Sequence, residues 1–95
     1  MGRERARGVT RHAGLHGNLA FILLQQNNFE GARQHDEEYL KGHAGSAFAL
    51  TNLGMALQEL GRLDEAKERF RQALAIDLNY LEARIRLDRA SRPKP

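Results

Sequence analysis

Apolar residues return along this chain at three- and four-residue steps. Leu50, Leu53, Leu57 and Leu60 make one row, and Leu63, Ala66, Phe70, Ala73 and Leu74 make the next. That spacing puts each row on one face of an α-helix. Gly61 separates the rows, and Asp64 and Glu65 follow in the first turn of the second helix, where negative charge suits the helix dipole. The whole pattern recurs after 34 residues, which aligns Asn18 with Asn52, Leu19 with Leu53, Ala20 with Gly54, Leu23 with Leu57, Phe29 with Leu63 and Ala32 with Ala66. A further step aligns Leu53 with Leu87, Ala49 with Ala83, Asn52 with Arg86 and Ala56 with Ala90. Apolar and small positions recur while surface positions vary, as expected of a repeated helical hairpin.

Five helices are predicted, over residues 15–26, 29–42, 46–60, 63–77 and 80–91. Asn27 and Asn28 supply the first break, as Gly61 does later, and Asn79 with Glu82 three residues on reads as a capping box opening the last helix. Gly54, inside a helix, costs ~1 kcal/mol relative to alanine, so a close crossing is expected over it, with Ala66 and Ala73 facing the contact.

The stretch Leu50-x2-Leu53-Gly54-x2-Leu57, followed by Ala66-x3-Phe70 and Ala73, resembles a tetratricopeptide repeat. Leu50 stands at the family's tryptophan, Leu57 at its tyrosine and Leu78 at its proline, each keeping an apolar side chain at a place expected to face the core. The resemblance spans residues 13–91: one repeat over 13–46, a second over 47–80, and over 81–91 a capping helix that is the first helix of a third repeat. Repeat one departs from the pattern, with His16 where a large apolar residue belongs and Asp36 at the counterpart of Phe70. Its second helix is expected to slip, letting Tyr39 and Leu40 take over the packing. The implied fold is all-α, a right-handed α-solenoid of antiparallel helical hairpins, with the charged last helix as its polar end.

Ninety-five residues without cysteine exclude disulfides, thiolate nucleophiles and Cys-ligated zinc, and leave too little chain for a two-domain enzyme. The longest apolar run, Leu19 to Leu24, is far short of the ~20 residues needed to span a bilayer, and no signal peptide is legible. A cytoplasmic location is the default that follows. The net charge of +3 sits entirely in residues 1–12, where Arg3, Arg5, Arg7 and Arg11 outweigh Glu4. This segment reads as a basic flexible tail, with residues 92–95 as a second tail. Four arginines without interleaved aromatics do not make a nucleic-acid arm, so nucleic acid is disfavoured as a partner.

No constellation for catalysis is visible. Phosphate-binding glycine loops are absent, Ser46 and Ser91 lack a nucleophile context, and carboxylate pairs such as Glu37 with Glu38 read as solvated surface. His12 and His16, four apart, could share a helix face with His35 or His43 nearby, but exposed polar residues are the better reading than metal ligands. The chain is therefore read as non-catalytic, with no metal and no cofactor.

In tetratricopeptide proteins the first helices of successive repeats line a concave groove that binds peptide segments. The resemblance places Asn18, Phe21 and Gln25 of the first repeat there, with Phe48, Asn52, Met55 and Glu59 of the second and Glu82, Arg86 and Arg89 of the capping helix. Some members clamp the C-terminal carboxylate of a chaperone with five residues from three repeats. Here Asn52 and Arg86 match two of those places, while Gly17, Phe21 and Glu82 occupy the others, and a carboxylate at Glu82 would repel a peptide terminus. The resemblance thus implies a bacterial-style adaptor or scaffold whose groove takes a short apolar or amphipathic segment of a protein partner. Its alternative is a structural module that stacks on copies of itself through open repeat ends, as a homo-oligomer.

Overall fold

A computed structural model of the chain describes residues 15–92, with side chains from residue 19 onward. Five helices occupy that span: α1 (Leu15–Gln25), α2 (Phe29–Gly42), α3 (Ala47–Glu59), α4 (Leu63–Ile76) and α5 (Leu81–Ser91). The basic segment 1–12 and the end of the 92–95 segment lie outside the described residues. No described helix is long and apolar enough to cross a membrane.

The 34-residue period is visible in the backbone. Asn27 and Gly61, one period apart, both adopt the left-handed region, at φ 62° and 82°. Each is followed by the same closing bond: Asn28 N–H donates to the Leu23 carbonyl and Arg62 N–H to that of Leu57, both at 2.8 Å. This is the Schellman closure, which satisfies carbonyls that the helix end would otherwise orphan. Asn28 then caps α2 by accepting from Gly31 N–H at 3.0 Å, and Ser46 caps α3 by accepting from Ala49 N–H at 3.1 Å.

Helices α1, α3 and α5 lie side by side in one layer, with α2 packed between α1 and α3 and α4 between α3 and α5 in the other. Leu24, Ala32 and Ala56 join α1, α2 and α3. Leu53, Leu57, Ala66, Phe70 and Ala90 join α3, α4 and α5, and Leu50, Ala73 and Ala83 form a third cluster beside them. Eight consecutive or near-consecutive residues of α3, from Ala49 to Leu57, are buried, because α3 is enclosed by neighbours on both sides.

Three local expectations are corrected. The close contact at Gly54 is made by the ring of Phe70, not by Ala66 or Ala73: a Cβ on Gly54 would stand 2.5 Å from Phe70 Cε1. The last helix opens at Tyr80 without a side-chain cap; Asp77 instead accepts from Asn79 N–H at 3.0 Å, so an Asx turn replaces the expected capping box. Leu78 is 70% exposed and lies in the α4–α5 connection, whereas Leu50 and Leu57 are buried as expected.

Nor does α2 slip. Asp36 keeps the register of Phe70 and is fully buried, and Leu40 packs one turn later against the two clusters that join α3, α4 and α5, while Tyr39 stacks on His43 at 4.2 Å. Ala32, buried at 0% exposure one turn before Asp36, holds the helix in that register. Both carboxyl oxygens of Asp36 lack a hydrogen-bond partner, and burial pushes the group up to about 8. The cation nearest in sequence, Arg33, is committed to Glu30 and Glu37 on the outer face of α2.

Candidate functional site

The first-layer helices leave a groove of about 650 Å³ along α1 and α3, reaching the start of α5. Phe21, Leu24 and Gln25 come to it from α1, Phe48, Thr51, Asn52, Met55, Gln58 and Glu59 from α3, and Glu82 and Arg86 from α5. Helical period explains the set on α3: Phe48, Thr51, Asn52, Met55 and Glu59 stand three, one, three and four residues apart, one stripe of the helix. Asn27, Phe29 and Tyr80 complete the wall from the connections between helices or their first positions.

Phe21 and Phe48 are each 40% exposed, an unusual state for aromatic side chains of a small domain. Met55 is half-buried and touches two of the core clusters, so it supports the wall as much as it faces the groove. Asn52 is 3% exposed and its Nδ2 has no hydrogen-bond partner, leaving a buried donor at the groove wall. Such a donor costs on the order of 1–3 kcal/mol while unsatisfied. Glu82 and Arg86 are bonded to each other, Arg86 Nε donating to Glu82 Oε2 at 2.7 Å. Burial, and then the nearby carboxylates of Glu82 and Asp77, hold the Tyr80 phenol above its ordinary value, so it remains a neutral hydrogen-bonding group at neutral pH.

Of the residues expected in a groove, Phe21, Gln25, Phe48, Asn52, Met55, Glu59, Glu82 and Arg86 are brought to this one surface. Arg89 is not: it lies in the last turn of α5, exposed, one turn past the point where the groove ends at Arg86. The side chain of Asn18 lies outside the described residues, as do those of His12 and His16. Projection along the first helices misses Asn27, Phe29 and Tyr80, because hairpin connections do not follow a 3.6-residue period. Leu24, Thr51 and Gln58 also border the groove unexpected, and each stands one residue from one expected position and three from another, a helical signal that could have added it. Among the described residues no cluster of three or more His, Asp or Glu side chains is arranged to hold a metal ion.

Two layers of antiparallel hairpins, whose left-handed helix breaks and closing bonds repeat every 34 residues, define a helical-repeat scaffold. A tetratricopeptide repeat family model matches residues 10–79, and the chain belongs to the tetratricopeptide repeat family. No curated protein matches it. Repeats of this family generally mediate protein–protein interaction, which assigns the chain to that broad class.

Proposed function

We propose that the chain is a non-catalytic adaptor or scaffold module that holds a short apolar or amphipathic segment of a partner protein in the groove between α1, α3 and α5. The observation that carries this reading is the pair of exposed rings, Phe21 and Phe48, on one groove whose wall also offers an unpaired amide donor, Asn52 Nδ2. Burying such rings against a partner removes apolar area from water at about 25 cal/mol per Å². A carbonyl of the bound segment would meet the Asn52 amide, relieving a cost already borne by the free protein. Pairing of Arg86 with Glu82 supports the exclusion of a carboxylate clamp, since Arg86, the one cation lining the groove among the described residues, is already engaged.

The test is selection of 12-residue peptides from a randomised display library on the full chain, with binding measured by fluorescence anisotropy. Phe48→Ser together with Phe21→Ser should weaken every selected peptide at least tenfold while circular dichroism shows the helices retained, because neither ring belongs to the buried core. Undiminished binding by that double variant would remove the groove from the account.

A further inference from the structure

Three of the residues bordering the groove are charged, Glu59, Glu82 and Arg86. Glu82 and Arg86 neutralise each other at 2.7 Å, and none of the ion pairs among the described residues involves Glu59. Glu59 is the last residue of α3, so its carboxylate stands at the negative end of the helix dipole. Gln25 ends α1 at the same groove, so two helix C-termini converge there. Neither has a basic residue in its last turn, the position that lysine and arginine ordinarily fill. Arg62, the cation that follows α3, is held by Glu65 at 2.9 and 3.0 Å and does not border the groove. The cation that would complete this end is missing from the described chain.

We propose that the groove recognises protein segments carrying a lysine or arginine beside an apolar anchor, and that Glu59 is the residue that reads the cation. This rests on the peptide-groove reading above and adds its specificity. The apolar anchor occupies the space between Phe21, Phe48 and Met55, and the basic side chain lies over the carbonyl ends of α1 and α3 against the Glu59 carboxylate. An arginine there also has aromatic faces to stack on, at Phe29 or Phe21.

The same 12-residue library is selected on the full-length wild type and, separately, on Glu59→Gln and Glu59→Lys. Both substitutions are at an exposed position and should leave the fold intact, as checked by circular dichroism. Wild-type selection is expected to enrich a lysine or arginine at a fixed offset from an aromatic or aliphatic residue. Replacing that basic residue by glutamine should weaken binding to the wild type about fivefold and to Glu59→Gln hardly at all, with the wild-type loss shrinking as salt is raised. Glu59→Lys should enrich acidic residues at the same offset. Peptides that depend on Phe48 but show no basic preference would overturn the proposal while leaving the groove reading intact. An equal loss in wild type and Glu59→Gln would also overturn it, by placing the cation elsewhere. Failure to enrich any Phe48-dependent peptide would remove both together.

Discussion

Replacing Asp36 by leucine is expected to stabilise the folded chain, and to do so far more at pH 8 than at pH 4. Asp36 is fully buried, its two carboxyl oxygens have no partner, and its folded-state value is pushed from 3.8 up to about 8 by burial. Below about pH 4 the group is protonated in folded and unfolded chains alike, and it exerts no pH-dependent cost. Between 4 and 8 the unfolded chain releases the proton while the folded chain retains it, so stability falls as pH rises, by up to about 1.4 kcal/mol per pH unit. Above 8 both forms are ionised and the loss levels off. The full loss is of order 5 kcal/mol, a large share of the roughly 5–10 kcal/mol expected for a domain of this size. Urea unfolding at pH 5 and pH 8 measures it: the wild-type midpoint should drop with pH, and those of Asp36→Leu and Asp36→Asn should change much less. Asp36→Asn keeps the size and removes only the titration, so parallel pH curves for wild type and Asp36→Asn would contradict the account.

The second large effect lies in the other repeat. Phe70→Ala should cost about 3–5 kcal/mol, since it empties the largest fully buried side chain from the cluster that joins α3, α4 and α5. Gly54→Ala should cost about 1–3 kcal/mol on its own, because its Cβ would stand 2.5 Å from Phe70 Cε1. Combined, the two should cost less than their sum, for the alanine methyl then enters space that the ring has vacated. Chemical denaturation of the four proteins gives the coupling, and strict additivity would mean that Gly54 is needed for something other than the ring.

Much of this fold is legible from spacing alone, because the physics that sets it is local. Breaks at Asn27 and Gly61 follow from the need for a left-handed residue at each helix end, and Gly54 announces a close approach by the penalty it carries in a helix. What approaches is a matter of packing: the ring of Phe70 fills the gap, where small residues on the facing helix are the simpler guess. Asp36 is the clearest failure of pattern reading. A carboxylate in a core position argues for a shifted helix, yet Ala32 and Leu40, one turn either side, fix the register and carry Asp36 inside with them. Asp77 likewise defeats the expected capping box by bonding Asn79 N–H first. In the groove, the stripe from Phe48 to Glu59 is legible because it lies on one helix. Tyr80 and Phe29 are not, since their place depends on how the connections fold back, and Arg89 shows that one more helical turn is enough to leave the surface.

The central claim, that the groove of α1, α3 and α5 is where a partner segment binds, is tested most directly by nuclear magnetic resonance. The 15N-labelled full chain is titrated with a library-selected peptide, and the amide shifts of the described residues are followed. The account predicts changes concentrated at Phe21, Gln25, Phe48, Asn52, Met55 and Glu59, together with the side-chain amide of Asn52. Changes confined to the outer faces of α2 and α4, with the groove amides unmoved at saturation, would contradict it.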